Sequence, residues 1–144
     1  FCAAVAISFA ADANVNMGTW KLNEAKSKFA PGAQKNHTVV YATSGDGWVV
    51  LVYGVDKDGK PEHNVWMGRF DGADYAVTGD PNYDMRSYKV IDPNTMDMIV
   101  KKDGKVVGTG KISVSKDGKS RTVTTKGANA GDEKFNDCAV YDKQ

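Results

Sequence analysis

The arginines are the residues whose type and position point most directly to binding chemistry. The chain contains 16 lysines but only three arginines, Arg69, Arg86 and Arg121. Lysine already supplies solubility, whereas a guanidinium offers a rigid fork of donors that suits a carboxylate or a phosphate. Each arginine falls inside a segment predicted to be a strand, so its side chain points either into a core or into solvent. The sequence alone leaves both orientations open.

Aromatic residues near the arginines extend this interpretation. Arg86-Ser87-Tyr88 places a phenol two residues from a guanidinium, on the same face of an extended strand. Six aromatics of the middle strands could line a cavity, although core packing explains the same positions: Trp48, Tyr53, Trp66, Phe70, Tyr75 and Tyr88. The residues predicted to bind a ligand are Arg86, Tyr88, Arg69, Arg121, Trp66, His63 and Tyr53.

Catalytic and metal sites have no comparable signature. His37 and His63 are isolated, and no phosphate loop, dinucleotide fingerprint or nucleophile motif is present, so the sequence predicts neither a metal nor a cofactor. Two other functions stay open. A small hydrolase of esterase type, or another acid–base enzyme, needs His63, Arg69, Tyr88 and Asp84 to meet in one cavity. A protein-interaction module needs the middle aromatics to form one outward patch.

Composition narrows the class of partner. The 144 residues carry a formal net charge of +1, with 41% hydrophobic and 26% charged residues, which is typical of one soluble domain. This balance gives no field to attract nucleic acid or an anionic membrane. The expected partner is a small apolar or amphiphilic molecule, with no nucleic acid and no stable membrane insertion. The chain is expected to be a monomer or a homodimer.

A pattern of period two, interrupted by turns, must position these side chains. Five Asp-Gly pairs, which suit tight hairpins, punctuate the chain from Asp46-Gly47 to Asp117-Gly118. Ten strands are predicted near 17–23, 37–44, 48–55, 62–70, 74–78, 84–91, 96–102, 105–115, 119–126 and 134–142. We predict an all-β, antiparallel up-and-down (meander) barrel of eight to ten strands, with a sandwich as the alternative. The one candidate helix runs from Asn23 to Phe29.

The first thirteen residues have the character of a secretory leader. Residues 1–13 are apolar and small, too short to cross a bilayer, and present small residues at two cleavage positions, Ala10 and Ala13. We interpret them as a signal-peptide remnant followed by one domain over 14–144, and we expect the protein to be secreted or periplasmic. Cleavage would leave Cys138 as the single cysteine, whereas a retained leader makes a Cys2–Cys138 bridge possible.

The strand that opens the domain carries a family resemblance. The chain resembles the small secreted lipocalin-like (calycin) proteins of bacteria over residues 15–144. The features that carry this resemblance are Gly18-Thr19-Trp20, the leader, the series of hairpins and the segment from Asp74 to Pro81. The ten-stranded relatives that resemble fatty-acid-binding proteins fit equally well. This resemblance implies a barrel with Trp20 buried near one end and a cavity for small apolar or amphiphilic molecules. Arg86-Ser87-Tyr88 also resembles the Arg-x-Tyr pair with which fatty-acid-binding proteins hold a carboxylate.

Overall fold

Ten strands and one short 3-10 helix make up the fold of this computed structural model, which describes residues 14–128, 132 and 134–144. The predicted leader over 1–13, and Cys2 within it, lie outside the described residues. The strands are β1 (Gly18–Leu22), β2 (Lys35–Ser44), β3 (Gly47–Val55), β4 (Pro61–Gly68), β5 (Tyr75–Thr78), β6 (Met85–Asp92), β7 (Thr95–Lys102), β8 (Lys105–Val114), β9 (Ser120–Ala128) and β10 (Lys134–Lys143). All ten strands predicted from the sequence are confirmed.

The strands close into one antiparallel barrel. Each strand pairs with its neighbours in sequence, and β1 also pairs with β10, where Trp20 lies opposite Lys143. This last pairing removes both sheet edges, whose unpaired N–H and C=O groups would otherwise be exposed. The up-and-down barrel is therefore confirmed, and the alternative of a sandwich is wrong.

The predicted Asp-Gly turn at Asp103-Gly104 forms a tight hairpin, whereas between β2 and β3 the turn lies one residue earlier, at Gly45-Asp46, because Gly47 already pairs with Ser44. In the turn between β7 and β8, Asp103 has a φ of 50° and Gly104 a φ of 79°. Two successive residues with positive φ are what a two-residue type I′ hairpin requires, because its twist matches that of the flanking strands. Local turn chemistry thus sets the order of the strands around the barrel.

The barrel interior holds the hydrophobic core. Side chains alternate between inward and outward positions, so that Val50 and Val52 on β3 are buried while Tyr53 is exposed. Trp20 has no exposed surface, and its indole Nε1 donates to the carbonyl oxygen of Asn16 at 2.8 Å. The prediction that Trp20 is buried is confirmed, and the short first strand is held to the N-terminal segment by this bond.

The helix predicted from Asn23 to Phe29 is too long. Only a 3-10 helix at Glu24–Lys26 forms, with the side chain of Asn23 accepting from the backbone N–H of Lys26. The chain then returns to the barrel wall, where Lys28 and Cys138 exchange two backbone hydrogen bonds of 2.7 and 2.8 Å. This bridge to β10 ends the helical turn. In the described part of the chain, no helix is long and apolar enough to span a membrane.

Candidate functional site

Four of the seven predicted site residues lie inside the barrel: Arg86, Tyr88, Arg121 and Trp66. Both arginines are only 3% exposed. Their contacts cross the interior, because Arg121 on β9 donates to Tyr41 on β2, a strand that is not its neighbour. Arg86 on β6 likewise reaches Asn64 on β4. Two cations therefore occupy the core.

The other three predicted residues lie on the outside. Tyr53 and His63 stack on each other with ring centroids 4.4 Å apart, beside an outer cleft of about 410 Å³. Arg69 is exposed and pairs with Asp46. Strand alternation is the reason for two of them: Val52 on β3 and Asn64 on β4 face inward, so the adjacent Tyr53 and His63 face outward. The structure does not bring these three side chains to the interior arginines.

The side chains of the two alternative functions are also separated. Tyr88 is inside the barrel, whereas His63 and Arg69 are exposed, and the Asp84 carboxylate accepts from the backbone N–H of Asp103 at 3.1 Å. The four groups of the acid–base hypothesis therefore do not share one site. The middle aromatics do not form an outward patch either, since all of them except Tyr53 belong to the interior core or pack against it.

Arg86 is held by three polar side chains. Its Nη2 donates to the Asn64 side-chain oxygen at 3.0 Å and to the Tyr83 hydroxyl at 2.7 Å. Its Nη1 donates to the Tyr88 hydroxyl at 3.2 Å, and in the described part of the chain Nε has no partner. Asn64 in turn donates to Asp80 at 3.2 Å, which orients its amide. Both terminal nitrogens of this guanidinium are thus engaged by the protein itself.

Arg121 has far fewer partners. Its Nη2 donates to the Tyr41 hydroxyl at 2.6 Å, whereas Nε and Nη1 are buried and have no hydrogen-bond partner among the residues that the structure describes. The guanidinium carbon lies 4.9 Å from the ring centre of Tyr41 and 5.3 Å from that of Tyr141. Two aromatic rings therefore flank the cation, while most of its donors stay available.

Burial raises the pKa values of three phenols that lie near the interior guanidiniums. Burial raises the pKa of Tyr83 to about 12, and that of Tyr141 also to about 12. Burial also raises the pKa of Tyr41 well above its usual range. For Arg86, burial acts to lower the pKa, but the Tyr83 and Tyr88 oxygens outweigh it, so the pKa is raised.

Within residues 14–128, 132 and 134–144, no carboxylate lies within 4.0 Å of either interior guanidinium.

Aromatic rings join the two arginines. Tyr41 and Tyr88, which bind Arg121 and Arg86, meet edge to face with centroids 6.4 Å apart. Phe70 contacts both phenols, at 6.3 and 5.6 Å between centroids. Tyr41 and Asn64 were not predicted as site residues. Each lies two residues from a buried side chain on the same face of its strand, Val39 and Trp66, and this spacing was the available signal.

Comparisons with known proteins bear on the fold. No protein-family model matches the chain, and no curated protein matches it. One similar solved structure is a redesigned β-barrel, mFAP1, bound to DFHBI, with a TM-score of 0.50 and 11% identity over 90% of this chain and 95% of that one. Another is EF1p2_mFAP2b bound to DFHBI, with a TM-score of 0.52 and 12% identity over 90% and 94% of the two chains. The chain is thus similar to these barrels in its fold.

Proposed function

We propose that the barrel binds a small organic acid in its interior, with Arg121 receiving the acid group. The observation that carries this proposal is the buried Arg121 guanidinium: within the described residues, only its Nη2 has a hydrogen-bond partner, while Nε and Nη1 have none. A buried charge without hydrogen-bonded compensation costs several kcal/mol. A carboxylate is the group that matches this charge and accepts two parallel N–H bonds from one guanidinium.

Arg86 has a different role in this proposal. The sequence favours Arg86 as the anchor because of its pairing with Tyr88, but Asn64, Tyr83 and Tyr88 already accept from its terminal nitrogens. An acid would have to displace these partners before it could bind there. We therefore assign Arg86 to holding the interior network in place, and Arg121 to the ligand.

The rest of the ligand is apolar in this proposal. Trp66 and Tyr88 are buried beside Arg86, and Tyr88 contacts the Tyr41 ring next to Arg121, so they offer aromatic surface for an amphiphile. The two similar barrels, each bound to DFHBI, support the idea that a barrel of this shape holds a small molecule. Their low identity to this chain carries no information about the chemistry of its ligand.

Export and family are part of the same proposal. The apolar run over 1–13 and the resemblance carried by Gly18-Thr19-Trp20 support an exported, lipocalin-like carrier. Mass spectrometry of protein recovered from the periplasm or medium of a bacterial host tests the export step. Loss of residues 1–10 or 1–13 is expected, and an exported chain that keeps them contradicts it.

Calorimetric titration with hexanoate and 1-hexanol tests the site, because the two probes share a chain and differ in charge. The wild-type protein is expected to bind hexanoate at least about tenfold more tightly, as a charge-assisted hydrogen bond implies. Arg121→Gln is expected to abolish this preference. Arg69→Gln removes the exposed arginine and serves as the matched control, with the preference retained.

One result overturns the assignment of Arg121, and another overturns the proposal as a whole. If folded Arg121→Gln keeps the full preference for hexanoate, the acid does not bind at Arg121. If the wild-type protein binds neither probe, or binds both equally, the interior is not an acid site. Circular dichroism and thermal melting of each variant establish that a loss of binding is not a loss of fold.

A further inference from the structure

The two histidines of the chain lie in the same outer cleft. The sequence contains only His37 and His63, and they come from β2 and β4, which are not neighbouring strands. Both line the opening of about 410 Å³ on the outer wall of the barrel, together with Lys21, Tyr53 and Pro61. We call this opening the histidine cleft. Its volume lies in the range of small-molecule sites, which is about 300–1,000 Å³.

Strand register and one β-bulge bring the polar side chains of the histidine cleft together. Lys21, Thr38, Tyr53 and His63 are successive partners across β1, β2, β3 and β4, so they form one row on the outer face. The pairing of β2 with β3 skips His37, which is therefore the extra residue of a β-bulge. A bulge changes the direction of a side chain, and bulges are frequent beside functional sites. The His37 ring lies beside Thr38, with 2.8 Å between Nδ1 and Oγ1.

Each imidazole is held through one ring nitrogen, which leaves the other for a ligand. Nδ1 of His63 donates to the Val52 carbonyl oxygen at 3.0 Å, so Nε2 is the nitrogen that can meet a bound group. Nδ1 of His37 shares its hydrogen bond with Thr38 Oγ1, which also accepts from Nζ of Lys21 at 2.9 Å. A neutral imidazole held in the manner of His63 presents a lone pair at Nε2, whereas a protonated one presents an N–H donor.

The charge of the histidine cleft changes with pH. Among the residues that the structure describes, no carboxylate lies within 4.0 Å of Nζ of Lys21. An imidazole gains its positive charge as pH falls from about 8 to about 5. Glu62 is the acidic group of the cleft, and burial raises the pKa of its carboxyl group, so it is neutralised more easily than an exposed glutamate. Tyr53 adds a phenol. The cleft is therefore close to neutral at about pH 8 and strongly positive in mild acid.

We infer that the histidine cleft is a second binding site, which takes a small organic ester of phosphate or sulfate. A tetrahedral oxyanion presents several oxygens to separate donors, which suits one ammonium and two imidazoliums that come from three strands. The organic part of the ester lies against Pro61 and the ring of Tyr53, which is 38% exposed. The cleft is on the outer wall and Arg121 is inside the barrel, so this site does not depend on the proposed function.

Calorimetric titration with phenyl sulfate and phenyl phosphate, at about pH 5.5 and about pH 8, tests the histidine cleft. Phenyl sulfate has the same charge at both pH values, so a change in its affinity comes from the protein. It is expected to bind at least about tenfold more tightly at the lower pH, because two imidazoliums then donate charge-assisted hydrogen bonds. The probe that binds more tightly at about pH 5.5 identifies which of the two esters the cleft prefers.

Variants of the cleft show which side chains carry this binding. His37→Gln and His63→Gln are each expected to weaken phenyl sulfate binding in acid by about fivefold or more, and the double variant to remove the dependence on pH. Lys21→Gln should weaken binding at both pH values. Lys26→Gln removes another exposed lysine and is the matched control, with wild-type affinity retained. The affinity for hexanoate at about pH 8 should stay within about twofold in every cleft variant, which separates this site from the interior acid site.

Three results overturn the inference. If phenyl sulfate binds no more tightly in acid, or binds more tightly at about pH 8, the imidazoliums do not receive the oxyanion. If the double histidine variant keeps the full dependence on pH, other groups receive it. If the wild-type protein binds neither ester, the cleft is not a site for them. Proton NMR of the wild-type protein is a test without variants, because phenyl sulfate must shift the ring signals of both His37 and His63.

Discussion

Arg86 and Arg121 have the same side chain and the same burial, yet their surroundings differ. Arg86 donates to three side chains, whereas Arg121 donates to one. Counting only the residues that the structure describes, Arg86 has one nitrogen without a partner and Arg121 has two. The comparison teaches that burial alone does not identify a binding residue. The informative quantity is how many donors of a buried cation the protein leaves unused, because these are the donors a ligand can take.

The partners of Arg86 and of Arg121 also lie on different strands, and we expect the two arginines to have different roles. Arg86, Asn64 and Tyr83 connect β4 with β6, bridging the short β5 between them. A four-residue strand supplies few backbone hydrogen bonds, so side-chain bonds across it stabilise the wall there. Arg121 instead reaches across the interior to Tyr41 and closes no such gap. We therefore expect the Arg86 network to matter most for stability, and Arg121 to matter most for binding.

Substitution of Arg86 is expected to give the largest change in stability. Arg86→Met should lower the free energy of unfolding by about 2–4 kcal/mol, because Asn64, Tyr83 and Tyr88 lose a charged donor while buried. Urea unfolding followed by circular dichroism measures this difference. A loss below about 1 kcal/mol would mean that the network does not stabilise the wall, and the contrast with Arg121 would disappear.

Substitution of Arg121 by the same residue is the matched experiment. Arg121→Met should change the free energy of unfolding by less than about 1 kcal/mol, or raise it, because a buried charge with one partner is costly and an apolar side chain is not. The same urea titration applies. A loss equal to that of Arg86→Met would show that Arg121 is a structural residue, which contradicts its assignment to the ligand.

Tyr41 is expected to compete with the ligand for Arg121. Tyr41→Phe removes the hydroxyl that accepts from Nη2 and should raise the affinity for hexanoate by about three- to tenfold, the worth of one net hydrogen bond. Calorimetry measures the change. Tyr141→Phe is the control, because its hydroxyl donates to the Asn36 carbonyl oxygen and not to the guanidinium. Weaker binding by Tyr41→Phe would indicate that the phenol holds the ligand instead of competing with it.

Substitution of Glu62, on the same strand as Asn64, is expected to give the smallest change in stability. Burial, with Asp80 and Asp56 nearby, raises the pKa of Glu62 above its usual value of 4.5. The folded protein then binds this proton more tightly than the unfolded chain does. The contribution of Glu62 to the free energy of unfolding is therefore highest in acid and is lost as pH rises through the folded-state pKa. Glu62→Gln should raise Tm at about pH 7 by at most about 2 °C and leave it unchanged at about pH 3.5. A lower Tm at neutral pH contradicts this sign.

Much of the fold could be predicted from local sequence. The turn at Asp103-Gly104 depends on residues that accept positive φ, and the strands depend on alternation, so both are properties of short segments. The helix after Asn23 was predicted too long because its end depends on a distant partner, Cys138 on β10. Arg69 was assigned to a strand that in fact ends at Gly68, one residue earlier.

The sequence by itself determined which side chains share a face of each strand, and it therefore placed Arg86 with Tyr88 and grouped Arg69 with His63. Only the tertiary structure decided which face is inside, because alternation is the same whether a row points to the core or to solvent. It also decided the partners of each arginine. Tyr41 and Arg121 are 80 residues apart in the chain and meet only across the closed barrel. Hydrogen bonds between strands that are not neighbours depend on the closure of the whole sheet, and no short segment contains that information.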